Sequence, residues 1–135
     1  MATKLLFEAL QQTTVRKELN KEWIVLKNSG DTAFNATGCS ITAGRSGVKG
    51  RPRTVTTLKA GLTVKPGERV RLISGSAGKA SQGQSPEEED GLRNYHLLLK
   101  VPYLDRKGLV VRLVTPQHVE LCQATVGEPS SSETA

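Results

Sequence analysis

The stretch EWIVLKNSGDTAFNATGCSI, residues 22–41, decides the fold. Its first part predicts a β-strand in which Ile24 and Leu26 face inward. Trp23 and Val25 would then lie outward or half-buried. A cluster of Asn, Gly and Asp follows, which is typical of a turn, and a second short strand comes after it. The rest of the chain supplies further strands against which this pair can pack.

Short strands separated by turns continue along the chain. Residues 65–68, Lys-Pro-Gly-Glu, predict a type II turn, since Pro suits its second position and Gly its third. The next strand, residues 69–74, would place Val70 and Leu72 inward and its two arginines outward. About eight short strands, with a turn roughly every eight to twelve residues, predict an all-β, antiparallel sandwich.

Two segments are harder to assign from periodicity. Residues 4–19 have apolar residues at helical spacing, but the first of them also alternate as a strand would. We favour a first strand at about residues 4–10 because of the resemblance described below. Residues 75–90 are rich in Gly and Ser and then acidic, without periodicity, so they predict a long, exposed and mobile loop.

The length of 135 residues suits one domain, which we place at residues 1–126, followed by a disordered polar tail at residues 127–135. No run is long enough to span a membrane, and residues 1–10 lack the pattern of a signal peptide, which predicts an intracellular protein. In a reducing cytosol Cys39 and Cys122 would be small buried hydrophobes. A disulfide between them stays an alternative if they lie on facing strands.

Three segments of the chain resemble the lamin tail domain, an immunoglobulin-like family. Residues 22–41 resemble its opening strands, residues 58–74 its central Pro-Gly segment, and residues 108–121 its closing hairpin. The matching residues are Glu22, Trp23, Ile24, Leu26, Asn28, Gly38, Ile41, Leu62, Pro66, Gly67, Val70, Leu72, Val111, Leu113 and Val119.

The resemblance covers roughly residues 5–126 in the family's order, although Cys39 stands where the family usually has Trp and His118 where the final turn usually has Gly. It implies an immunoglobulin-like sandwich of the free-standing or bacterial type, without a coiled-coil rod. Such domains are non-catalytic modules that contact proteins and sometimes DNA.

The formal net charge of the chain is +6, and basic side chains are concentrated between residues 41 and 85. If the loops and outer strand faces there converge, they form a surface that could bind a phosphate backbone. The alternative is that these side chains are solvated or protect sheet edges. The candidate basic surface consists of Arg45, Lys49, Arg51, Arg53, Lys65, Arg69 and Arg71.

Two further charged segments have alternative interpretations. Residues 48–53 are similar to the AT-hook core, but the first Arg is Lys49 and there is one copy, so an ordinary Gly/Pro loop is favoured. The acidic run at residues 87–90 could be solvated, bind a cation weakly, or fold over the basic surface as an internal competitor.

Motifs for catalysis are incomplete in this sequence. Residues 75–80 lack the first Gly and the final Ser or Thr of a phosphate-binding loop. Cys39, Cys122, His96 and His118 lack the spacing of zinc ligands. No nucleophile-elbow motif is present. We therefore predict no enzyme activity, no cofactor and no metal.

These observations favour a non-enzymatic interaction module. It would bind a protein partner or a second copy through a sandwich face or an open sheet edge, for example by strand addition. Trp23 is a candidate anchor for such a partner, unless it lies half-buried under a loop. The alternative function is sequence-nonspecific binding of duplex DNA through the basic surface.

Overall fold

The computed structural model describes residues 4–12, 16–45, 53–58, 61–76, 83, 86–89, 91–99, 102–104, 108–117 and 119–126. Its strands are β1 (Leu5–Gln11), β2 (Trp23–Asn28), β3 (Phe34–Asn35), β4 (Ser40–Arg45), β5 (Arg53–Thr57), β6 (Thr63–Val64), β7 (Arg69–Ile73), β8 (Leu92–His96), β9 (Leu109–Val114) and β10 (Glu120–Thr125). A short 3₁₀ segment, Arg16–Lys21, joins β1 to β2. The predicted polar tail lies outside the described residues.

The strands form two four-stranded sheets that pack face to face. Sheet 1 has the order β1-β2-β7-β8, sheet 2 has the order β10-β9-β4-β5, and β3 pairs with β6 at one end. This confirms the predicted all-β sandwich, and it shows that the N-terminal segment begins with a strand. Within these described sheets every strand pair is antiparallel except β7 and β8, which run parallel. Among the described residues there is no helix that could cross a membrane.

The core lies between the two sheets and is built from alternate strand residues. Ile24 and Leu26 of β2 are fully buried there, as predicted, and so are Val70 and Leu72 of β7. Leu113 of β9 belongs to the same cluster from the opposite sheet. Each such side chain contributes about 1.5–3 kcal/mol when it is removed from water.

On the outer face of sheet 1, buried and exposed residues do not simply alternate along the strands. Val25 lies on this outer face, which is one of the two expected positions, but it is only 5 % exposed, a burial that the sequence did not predict. It stands opposite Arg71 in the register, and Arg71 points outward as predicted yet is also buried. Residues 86–89 lie against this face, since Arg71 donates a hydrogen bond to the carbonyl of Glu87. A further layer of chain therefore covers part of the sheet.

Part of the predicted loop at residues 75–90 is hydrogen-bonded to sheet 1, which its sequence does not indicate. The side chains of Glu87, Glu88 and Glu89 are exposed, as expected. Their backbone, however, is hydrogen-bonded to sheet 1. Residues 77–82, 84, 85 and 90 lie outside the described residues.

The predicted type II turn at residues 65–68 is confirmed. Gly67 has a φ of +79°, and the amide of Glu68 donates to the carbonyl of Lys65 at 2.9 Å. The turn is tied to the end of β2, because the amide of Gly67 donates to the carbonyl of Asn28 at 2.7 Å. The Asn28 side chain, fully buried, donates in turn to the carbonyl of Val64 at 2.9 Å.

A buried carboxylate joins three separate parts of the chain. Glu22 is fully buried, and its Oε1 accepts hydrogen bonds from the Ser74 hydroxyl at 2.6 Å and the Tyr103 amide at 3.0 Å. Its Oε2 accepts from the Leu104 amide at 3.1 Å. These contacts fasten the start of β2, the residue after β7 and the segment 102–104 to one group. Burial and the Glu22 charge together raise the pKa of the Tyr103 hydroxyl.

Replacing this carboxylate should destabilise the domain strongly. In Glu22→Gln the new NH₂ group faces a backbone N–H in either orientation, so one buried donor loses its acceptor. We expect the free energy of unfolding to fall by about 2–4 kcal/mol, measured by urea denaturation. The control is Glu18→Gln, which removes a half-exposed ion pair with Lys21 and should cost less than about 0.5 kcal/mol. Equal losses in the two variants would contradict the role given to Glu22.

Candidate functional site

The two sides of the sandwich differ. On one side the edge strands β1 and β10 contact each other and bring the sheets together. On the other side the edge strands β5 and β8 leave an open groove of about 610 Å³. The groove is lined by Thr54, Thr56, Thr57, Leu58, Asn94, Tyr95, His96, Leu97 and Leu98.

The groove has an apolar base and a polar rim. Leu58 and Leu97 are buried and belong to the core cluster, so the groove reaches the interior of the sandwich. Threonine hydroxyls form the β5 wall, and one of them, in Thr57, shares a hydrogen bond of 2.9 Å with Ser40. Burial lowers the pKa of His96, while the charge of Glu88 opposes that shift. This combination of apolar surface with a few polar groups is typical of binding sites.

Both walls present backbone groups as well as side chains. Leu58, just after β5, donates its amide to the carbonyl of Cys39, just before β4. Successive amides along a strand point in opposite directions, so the amide of Thr57 points to the open edge. Just after β8, the amide of Leu97 donates to the carbonyl of Ile73 in β7. The same alternation directs the amides of Leu92 and Asn94 outward. The β5 wall is therefore an edge at which a further strand could pair. On β8 the amides of Leu92 and Asn94 are already hydrogen-bonded, to the carbonyl of Glu89 and the carboxylate of Glu88.

Leu98 lies just after β8, at the end of the groove wall that this strand forms, and its backbone conformation is unusual. It has a φ of +62°, a conformation that is unfavourable for a bulky side chain. Its side chain is nevertheless 67 % exposed, so burial does not compensate for the strained backbone. Its amide donates to the carbonyl of Gly75 at 3.1 Å. A strained, exposed hydrophobe beside a groove suggests a functional role.

The candidate basic surface is divided between different parts of the fold. Arg53 begins β5 in sheet 2 and is exposed, whereas Arg69 and Arg71 lie on β7 in sheet 1. Lys65 is exposed in the turn before β7. Arg53 therefore does not share a sheet with the other two arginines. Lys49, Arg51 and the side chain of Arg45 lie outside the described residues.

Several of the basic side chains have acidic partners within the domain. Arg69 and Lys27 both pair with Glu8, at 3.4 and 3.6 Å. Arg93 pairs with Glu68, and this hydrogen bond lowers the pKa of the Glu68 carboxyl. These contacts reduce the positive potential of sheet 1.

Trp23 is half-buried and packs against a cation. The guanidinium of Arg71 lies 5.1 Å from the centre of its ring, within the range of a cation–π interaction. One face of the indole is thus engaged inside the domain. This arrangement matches the half-buried alternative considered for Trp23 in the sequence.

The residues considered for catalysis or metal binding do not converge. In the described part of the chain, no group of three or more His, Cys, Asp or Glu side chains is placed to hold a metal ion. Cys39 and Cys122 are free thiols. Burial raises the pKa of both, that of Cys122 to about 12 with a smaller contribution from Glu120, so neither is a ready nucleophile at neutral pH.

Comparison with models of protein families and with curated proteins finds no match to this chain.

The sequence indicated the elements of the groove but not the groove. Residues 54–58 are rich in β-branched residues, which is typical of a strand, and most of residues 95–101 are apolar, but nothing in these patterns predicts that the two segments form opposite walls. The exposed position of Leu98, between Leu97 and Leu99, could not be read from three adjacent leucines.

Leu98 should be replaceable without loss of stability. Asn tolerates positive φ better than Leu, so Leu98→Asn should leave the free energy of unfolding unchanged or raise it by up to about 1 kcal/mol, measured by urea denaturation. Val119→Asn is the matched control, because Val119 is also an exposed hydrophobe but has no positive φ, and it should show no gain. A loss above about 1 kcal/mol for Leu98→Asn would assign Leu98 a packing role instead.

Proposed function

We propose that this protein is a non-catalytic interaction module that binds an extended segment of a protein partner in the groove between β5 and β8. The observation that carries the proposal is the open side of the sandwich, where two edge strands face each other across a groove of about 610 Å³. The immunoglobulin-like resemblance of the sequence to lamin tail domains supports a module of this kind.

Strand addition would use the backbone and side-chain groups at the groove together. The outward amide of Thr57 on β5 can pair with an extended peptide, and main-chain hydrogen bonds of this kind give affinity. The amides of Leu92 and Asn94 on β8 can pair only when their hydrogen bonds to Glu89 and Glu88 are released. The apolar base formed by Leu58 and Leu97 can accept alternate side chains of that peptide. Leu98 would then lie against the bound segment and gain the burial that it lacks in the free domain.

A second copy of the chain is a partner of the same type, because an edge strand can pair with its own equivalent. Homo-oligomer formation through the groove would make sedimentation depend on protein concentration. The substitution Leu98→Asn would then reduce this self-association.

Selection of peptides on the immobilised domain tests the proposal. Random twelve-residue peptides displayed on phage should be enriched by the wild type and by Val119→Asn, but not by Leu98→Asn. Selected peptides should bind with at least fivefold lower affinity to Leu98→Asn, since one apolar anchor contributes about 1 kcal/mol or more. Enrichment that is identical on both variants would contradict binding in the groove.

Duplex DNA is the alternative ligand, favoured by the net charge of +6. Arg53 and Lys65 are exposed and could contact phosphates. If this function is correct, labelled duplex DNA should bind at low salt, weaken steeply with rising salt, and bind more weakly to Arg53→Glu/Lys65→Glu. The control Lys4→Glu/Lys17→Glu changes the charge equally at exposed positions and should retain more affinity. Absence of binding at low salt would exclude this alternative.

A further inference from the structure

A second layer of chain lies on the outer face of sheet 1. We call residues 86–89, Pro-Glu-Glu-Glu, the acidic strap. The carbonyl of Pro86 accepts a hydrogen bond from Asn94 Nδ2 at 2.6 Å, and the carbonyl of Glu87 accepts one from the Arg71 guanidinium at 3.2 Å. The first half of the strap is thus attached to both β7 and β8.

The second half of the strap occupies the open edge of β8. Glu88 Oε2 accepts a hydrogen bond from the amide of Asn94 at 2.8 Å. Glu89 forms an antiparallel bridge with Leu92, with N···O distances of 3.1 and 2.9 Å. These are the outward amides that a partner strand would use on β8. Glu89 and Leu92 are three residues apart, so their bridge closes a tight turn. The strap thus occupies part of the β8 edge with one backbone pair and one side-chain hydrogen bond.

The strap also covers a cation whose hydrogen bonding is incomplete. Arg71 is only 6 % exposed, and its Nε has no hydrogen-bond partner among the described residues. The carboxylate of Glu89 is 3.9 Å from the nearest guanidinium nitrogen, beyond hydrogen-bond distance. A closer carboxylate would satisfy this buried donor better than the strap does.

The strap is held weakly compared with the strands. The Glu89 side chain is 70 % exposed, and exposed ion pairs contribute little to stability. No strap residue belongs to the core cluster. A segment with exposed side chains and few apolar contacts opens at a lower free energy than the sheet on which it lies.

We propose that the acidic strap is an intramolecular competitor that occupies the β8 edge and Arg71 in place of a partner segment. The proposal rests on the proposed function and adds the chemistry of the partner: an extended peptide with carboxylates that reach Arg71 while its backbone pairs with β8. The charge of this peptide complements the net charge of +6 of the chain. Release of the strap would regulate access to the site.

Binding of a synthetic peptide in trans tests this competition. A labelled peptide with the sequence of residues 85–91, SPEEEDG, is titrated into wild type and into Glu87→Gln/Glu88→Gln/Glu89→Gln by fluorescence anisotropy. The variant should bind it about threefold more tightly, because loss of the exposed Glu89 ion pair and a weaker hydrogen bond from the Asn94 amide to residue 88 loosen the competing segment. A neutral peptide, SPQQQNG, should bind the variant more weakly than the acidic peptide does, because it has no carboxylate for Arg71. Bound acidic peptide should also slow amide hydrogen exchange at Leu92 and Asn94 in the variant.

The control for charge is Glu18→Gln/Asp31→Asn/Glu120→Gln, which removes the same number of acids away from the strap. If this control gains as much affinity for the acidic peptide as the triple variant of the strap, net charge alone is responsible and the proposal is overturned. Equal affinity of wild type and strap variant, or no binding to either, would also overturn it.

The outcome separates this inference from the proposed function. If phage-selected peptides bind in a manner that depends on Leu98 while the strap peptide fails, the groove function stands and the competitor is rejected. If neither class of peptide binds, both are rejected.

Discussion

The buried carboxylate of Glu22 is the constraint on which the rest of this sandwich depends. A carboxylate removed from water is tolerated only when its oxygens accept strong hydrogen bonds, and here they accept from Ser74, Tyr103 and Leu104. The requirement brings together positions far apart in the sequence. It holds the end of β7 beside the start of β2 and places the segment that leads towards β9. The hydrophobic core supplies more free energy, but it is less directional, because apolar contacts can be made in many arrangements.

The asymmetry between the two sides of the sandwich is what suggests a function. On one side β1 contacts β10, which brings the two sheets together at that edge. Where β5 faces β8 the sheets stay apart, and an apolar base lies between two rows of strand-edge amides. An uncovered edge risks unwanted pairing, and natural domains usually protect it. Here half of the β8 edge is covered by the chain's own acidic strap, which protects the edge and resembles a ligand.

Charge in this protein is organised mostly within the domain. The positive net charge suggests a phosphate-binding surface, yet Arg69, Arg71 and Arg93 each meet an acid or a carbonyl of the same chain. Arg71 stacks on Trp23 beneath the strap, so both of these candidate binding residues are engaged internally. A ligand of Arg71 or of the β8 edge would therefore have to replace existing contacts.

The sequence by itself determined the all-β class, the inward residues of β2 and β7, and the turn at residues 65–68, since alternation and turn chemistry are local properties. It could not determine the burial of Val25, the opening between β5 and β8, or the position of the strap on Arg71, because these depend on which distant segments meet. The parallel pairing of β7 with β8 decides which amides face outward, and a local pattern does not specify it. The candidate site therefore belongs to the tertiary structure, where strands remote in sequence become opposite walls of one groove.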